Sequence, residues 1–267
     1  MKKLLSLSFV VALLLNACKV DNTQKVFNSI DVSSENHSFA FMLASNQNYF
    51  STLAQEGHFN KVFSNEVVGL DASKVNGFIA FPDAASILNN TTATAFKSIY
   101  DANGDNSFTF YPNVYEGLTT YSTQYTNWKN AIKATYNSAS NCSIGTKTDN
   151  FGNKINVYVK TELNSNVDST INIAVYAVKE SVVAPQDTDL TTSNPNYIHY
   201  NVLIDKLGDL DFGKACSNKN KGDFNNQSFT YTIPEGMDRS TLKFIAVVFE
   251  MHSGLPKKVL NCRTIKL

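Results

Sequence analysis

The sequence has few cysteines and no two of them close together. Its four are Cys18, Cys142, Cys216 and Cys262, and no CxxC occurs. That excludes a dithiol oxidoreductase of the usual kind, whose motif brings two thiols within exchange distance. It also excludes a zinc site built mainly from cysteines. Charge is sparse: only 17% of residues are charged, with 23 basic against 23 acidic. A chain without a basic excess is not a general electrostatic binder of nucleic acid, which needs cations to neutralise phosphates. No GxSxG elbow, P-loop or GxGxxG is present, so the serine-hydrolase and nucleotide-binding motifs are missing. The four histidines, His37, His58, His199 and His252, lack the spacing of a metal-binding pair. No metal and no cofactor is expected. What the chain does have is apolar side chains, 43% of 267 residues, with 12% aromatic. That is enough for one large core or two ordinary ones. Asn, Ser and Thr take the place of charge, which suits a secreted or cell-surface protein.

The first 18 residues, MKKLLSLSFVVALLLNAC, place Lys2 and Lys3 before an apolar run from Leu4 to Leu15. The run is too short for a transmembrane helix of roughly 20 residues and reads as a cleavable export signal. No second run of that kind follows, so no later membrane-spanning helix is expected. Leu15-Asn16-Ala17-Cys18 resembles the bacterial lipobox. The resemblance implies cleavage between Ala17 and Cys18, diacylglyceryl transfer to the Cys18 sulfur and N-acylation. Lys19, rather than Asp, after the cysteine implies sorting to the outer membrane. With Cys18 lipidated, three thiols remain in an oxidising compartment, which suggests one disulfide and one buried or free cysteine. The sequence leaves all three pairings open, with Cys216–Cys262 preferred.

Residues 19–37 are polar with scattered Val, Phe and Ile, and read as a tether from lipid to first domain. Residues 38–138 mix helix and strand signals. Strands are expected at 38–44, 66–71, 77–81 and 107–111, and helices over about 47–64, 93–100 and 120–136. From about residue 141 the period changes to 2. About seven strands and almost no helix are expected, an antiparallel sandwich of Ig-like type. Two long polar loops, 184–197 and 208–227, lie within it.

The segments NIAVYAVKE (172–180), APQ (184–186), YIHYNVL (197–203), FTYTIP (229–234) and LKFIAVVF (242–249) resemble the C-terminal half of the 28-kilodalton outer-membrane protein family. The resemblance covers roughly residues 141–267. It implies an N-terminal thioredoxin-like domain, so the expected architecture is α+β in two domains. These are a thioredoxin-like domain over 38–140 and a β-sandwich over 141–267. Tyr111-Pro112 resembles the cis-proline loop of that fold, whose groove could hold an extended peptide by strand-like hydrogen bonds, with a purely structural Pro112 as the plainer reading. Where the family's cysteines would stand, this chain reads Ala44-Ser45-Asn46-Gln47-Asn48-Tyr49. No thiol is there to attack a disulfide.

Other candidates have plainer readings. His199 lies in an expected strand and reads as a hydrogen-bonded structural residue. Asp101 to Ser107 begins like a calcium loop, but Asn106 and Pro112 occupy the positions that need Gly and Glu. Asp205, Asp209 and Asp211 read as a solvated loop. Tyr111, Tyr115, Tyr121, Tyr125 and Trp128 could line a sugar or peptide groove, though core packing is the simpler account. The expectation is a lipid-anchored outer-membrane lipoprotein, non-catalytic, serving as a binding, adhesion or scaffold protein of the envelope. Its partners would be the membrane and an envelope protein, peptide or glycan, with no nucleic acid. The alternative is an envelope chaperone or a thiol-disulfide enzyme.

Overall fold

Apolar residues alternate along 154–163, so one face of that strand must be covered. The computed structural model describes residues 22–43, 60–61, 71–82, 86–101, 129–130, 132–187 and 192–267. Its strands, in chain order, are β1 (Ser38–Leu43), β2 (Val75–Ala80), β3 (Cys142–Phe151), β4 (Lys154–Leu163), β5 (Thr170–Asp187), β6 (Ser193–Lys206), β7 (Lys214–Cys216), β8 (Phe224–Thr232), β9 (Leu242–His252) and β10 (Leu255–Lys266). β3, β4 and β8 form an antiparallel three-stranded sheet, and the others form a seven-stranded sheet ordered β1-β2-β6-β5-β9-β10, with β7 on β5.

The two sheets pack face to face, as the alternation requires. Ile155, Val157, Val159 and Leu163 of β4 meet Ile171, Ile173, Val175 and Ala177 of β5 and Phe244, Ala246 and Val248 of β9 in one buried cluster. Each of the Ile, Val, Leu and Phe side chains among them contributes about 1.5–3 kcal/mol by leaving water. The intervening residues of β5 and β9 are buried too. Ala174, Tyr176, Val178, Ile245, Val247 and Phe249 pack against Phe39, Phe41, Phe78 and Phe96. That explains the unbroken apolar runs IAVYAV (173–178) and FIAVVF (244–249), since a strand covered on both faces needs no polar side.

The N-terminal strands are therefore not a separate core. β1 and β2 pair in parallel, and β2 joins the sandwich sheet through Ile79 and Val202 of β6, again in parallel. The helix Thr91–Asp101 covers one face of this pair through Phe96. Helical residues around Ile132 cover the other, against Ala40, Met42 and Ile79. The expected boundary near residue 140 thus cuts across a shared sheet and a shared core. The strands at 38–43 and 75–80 and the helix at 91–101 fall where the sequence placed them. The helix at 47–64, apart from residues 60–61, the strand at 107–111 and nearly all of that at 66–71 lie outside the described residues.

Two other expectations change. Residues 22–37 are not a free tether. Residues 22–28 are helical, Phe27 and Ile30 are buried, and Ser33 bridges Ile144 at the edge of β3. The segment crosses the outer face of the small sheet at Gly145. A β-carbon there would overlap the Asp31 carbonyl and approach Ile30 Cγ2 to 2.5 Å. The scattered apolar residues of this stretch are what seat it. The expected loop 184–197 is mostly strand: β5 runs on to Asp187 and β6 begins at Ser193. The hairpin leaves the body of the sheet at Asn201, whose φ is 54°. Asn tolerates that left-handed conformation better than most residues, and Lys243 Nζ donates to its Oδ1 at 2.6 Å. The loop 208–227 carries β7 and the first residues of β8.

Candidate functional site: a buried polar junction

Polar residues inside apolar strands must find partners, because an unpaired buried amide costs on the order of 1–3 kcal/mol. Asn76 sits within VNGFIA of β2 and Asn261 within VLNCRTI of β10, and each is only 2% exposed. They face each other across the start of β1. Asn261 Oδ1 accepts from the backbone N–H of His37 at 3.0 Å and of Cys262 at 2.8 Å. Its Nδ2 donates to the carbonyls of Glu35 and Cys142 and to Ser140 Oγ, at 3.1, 2.7 and 3.0 Å. Asn76 Oδ1 accepts from Thr264 Oγ1 at 2.5 Å. Its Nδ2 lies 3.2 Å from His37 Nδ1 and 3.4 Å from Cys262 Sγ. Asn36 Nδ2 extends the network to the Thr135 and Ser138 carbonyls.

A charged rim closes this junction toward solvent. Glu35 pairs with Lys74 at 2.5 Å, with His37 Nε2 at 3.5 Å and with Arg263 at 3.7 Å. The hydrogen bond from Lys74 holds the Glu35 carboxyl below its usual value. Burial pushes the His37 imidazole down, the Arg263 charge adds to that, and Glu35 pulls the other way. The sign follows directly: a depressed histidine favours the neutral ring in the folded chain. Its contribution to stability is full above the ordinary imidazole value of about 6.5 and is lost as pH falls through the folded value. Urea unfolding midpoints should therefore drop between pH 7.5 and 5.5, and by less in His37→Gln. Equal pH slopes for the two proteins would refute the assignment to His37.

Cys262, His37 and Asn76 are the residue types of a cysteine-nucleophile triad, but their geometry does not serve one. The Cys262 Sγ–H points at the His37 carbonyl, at 3.6 Å, rather than at the ring. Complete burial raises the thiol far above its ordinary value, so it is not a thiolate at neutral pH. Burial likewise raises Cys142 and Cys216. All three are free thiols. The expected Cys216–Cys262 disulfide is not formed. Cys216 packs between the two sheets, and Cys262 packs on the other face of the large sheet, among the phenylalanines. Two side chains on opposite faces of one sheet cannot bridge.

The remaining predicted residues are dispersed. Ala17, Cys18, Tyr111 and Pro112 lie outside the described residues, as do His58 and the stretch 102–128. His199 is buried edge-on against Phe81 and Tyr197, at 5.1 and 4.7 Å. Asp211 pairs with Lys206 at 2.6 Å, and Asp205 accepts from the Lys206 N–H. Among the described residues no three His, Cys, Asp or Glu side chains are grouped to hold a metal, and no helix is long and apolar enough to cross a membrane. Sequence reasoning passed over Glu35, Lys74, Asn76, Asn261 and Arg263. The available signal was an asparagine inside each of two apolar runs.

Comparison with known proteins agrees with the sandwich. HBP35 of Porphyromonas gingivalis aligns with a TM-score of 0.65 at 10% identity, over 89% of this chain and 77% of that one. A protein from Agrobacterium tumefaciens aligns with a TM-score of 0.55 at 9% identity, over 87% and 96%. A domain of the outer membrane lipoprotein Omp28 from P. gingivalis aligns at 16% identity over 48% of this chain and 88% of that domain, with a TM-score of 0.34. No curated protein sequence matches. The family described as outer membrane protein Omp28 matches residues 94–267, from the Thr91–Asp101 helix through the last strand. The chain belongs to the Omp28 family of outer membrane proteins.

Proposed function

We propose that this chain is a lipid-anchored lipoprotein of the outer membrane that binds or scaffolds other envelope components without catalysis. The observation that carries this reading is the state of its sulfurs. The three described cysteines are buried, with thiol pKa values raised by burial. Cys18, at the lipobox position behind an export signal, is left as the sulfur for modification. Three acyl chains, at about 0.8 kcal/mol per buried CH₂, hold a protein on a bilayer essentially for good. Parallel β1 and β2 between two helical layers are what a thioredoxin-like part over 38–140 would supply. With Ala44 to Tyr49 in place of a CxxC, that part has lost its redox chemistry and kept its scaffold.

The test is intact-mass analysis of the native protein and of Cys18→Ala, with alkylation before and after denaturation. The native protein should carry a triacyl mass that Cys18→Ala lacks. Its other three thiols should react only after denaturation. A missing acyl mass refutes the anchor, and rapid alkylation of a folded thiol refutes the non-catalytic reading.

A further inference from the structure

The segment that leads back to Cys18 is docked on the small sheet in the direction of the β3–β4 turn, where an aromatic ring is exposed. Between Ser33 and Phe27 the chain runs antiparallel to β3, across the outer face of the small sheet. Ser33 bridges Ile144, and Ile30 and Asp31 cover Gly145. Lys160 Nζ donates to the Ile30 carbonyl at 3.1 Å, and Lys147 Nζ to Ser29 Oγ at 3.1 Å. Phe27 stacks edge-on with Tyr158, which pairs with Lys147, at 5.7 Å. Read toward the N-terminus, these contacts advance along the sheet toward the β3–β4 turn. Asn22 begins the described chain, and Cys18 is four residues earlier, a reach of at most about 14 Å.

Phe151 closes that turn opposite Lys154 and is 65% exposed. Alternation along β3 places it on the same outer face as Gly145 and Lys147. The exposed ring is therefore flanked by the exposed Lys147 and Lys154, with one half-buried carboxylate, Asp149, on the same face. An aromatic ring between lysines fits the boundary between headgroups and acyl chains, where the ring enters and the ammonium groups stay among phosphates.

We infer that the β3–β4 turn rests on the bilayer that holds Cys18, with Phe151 inserted at the lipid interface. This orients the sandwich with the small sheet's outer face toward lipid at that end. The inference rests on the lipid-anchor reading above. The short reach from Cys18 selects a membrane rather than a protein as what covers Phe151.

The experiment uses the full acylated protein in vesicles of phosphatidylethanolamine and phosphatidylglycerol. An environment-sensitive fluorophore is attached at Asn153→Cys, which keeps Phe151, and separately at Lys221→Cys. Lys221 is exposed in the loop whose Gly222 N–H donates to the Leu163 carbonyl, at the far end of β4. That is about 30 Å along the strand from the turn. Quenching by spin-labelled lipid should be at least about threefold stronger at 153 than at 221. Adding Phe151→Asp should remove most of the difference. Equal quenching at both sites on acylated, vesicle-bound protein overturns the docking and leaves the anchor standing. Absence of the acyl mass overturns the anchor and the docking together. Strong quenching at 153 that survives Phe151→Asp overturns the role of the ring.

Discussion

Replacing Asn261 with aspartate is expected to lower the stability of the fold by about 3–5 kcal/mol, through loss of two donors and burial of a charge. The side chain keeps its shape, and one oxygen still accepts from the His37 and Cys262 N–H groups. The other oxygen then faces the Glu35 and Cys142 carbonyls, which the amide had served as a donor. The Cys142 carbonyl keeps a donor in Ser140 Oγ, but the Glu35 carbonyl loses the amide N–H. The strain falls where the N-terminal segment, β3 and β10 meet, so the docked stretch 27–37 should loosen first. For a chain of this size the thermal midpoint should fall by about 10 °C. Amide exchange should rise around Ser33 and Ile144, whose reciprocal backbone bonds span 3.1 and 3.0 Å. A midpoint change under about 2 °C would mean that water replaces the amide and that the junction carries little of the fold's stability.

The second large effect is expected at Gly213. Its φ is +79°, and a β-carbon there would overlap the Ile173 carbonyl and lie 2.5 Å from Ala174 N. Gly213→Ala thus meets both a left-handed backbone, costing about 1–2 kcal/mol, and a neighbouring strand that cannot yield without breaking β5 pairing. The sum should approach 3–5 kcal/mol, the range in which point substitutions are exceptional. The consequence reaches the opposite face of the large sheet. Phe212 stacks on Phe96 and Phe249 at 5.5 and 6.5 Å. The Tyr176 hydroxyl donates to the Asp211 carbonyl at 2.8 Å. Displacing this loop should reduce the near-ultraviolet circular dichroism of the aromatic cluster. Gly222→Ala is the control: φ is +84°, but nothing lies within 4 Å. It should cost only the backbone strain, about 1–2 kcal/mol. If the two alanines behaved alike, close approach to β5 would not be the reason for glycine at 213.

The candidate site was barely legible in the sequence, and the reason is distance along the chain. Asn76 and Asn261 each announce themselves as polar residues in an apolar run. Their partner His37 lies 39 residues from one and 224 from the other. No local period encodes such a meeting. Cys216 and Cys262 were open to pairing in the sequence because spacing says nothing about which face of a sheet a thiol occupies. The loop expected at 184–197 failed for a local reason. The stretch is polar and carries Pro185 and Pro195, yet both prolines sit in a two-stranded hairpin beyond the main sheet. There a missing ladder donor is tolerated.

The sequence by itself determined the strands of the sandwich, since alternation is a local property that burial of one face imposes on every second residue. It also determined the family, whose matching segments are each contiguous in the chain. Tertiary structure alone decided that β1 and β2 extend the sandwich sheet and share its core. It alone seated residues 22–37 on the small sheet and buried all three described thiols. Each of these depends on surfaces contributed by segments far apart in the chain, and burial there is set by what the chain folds against.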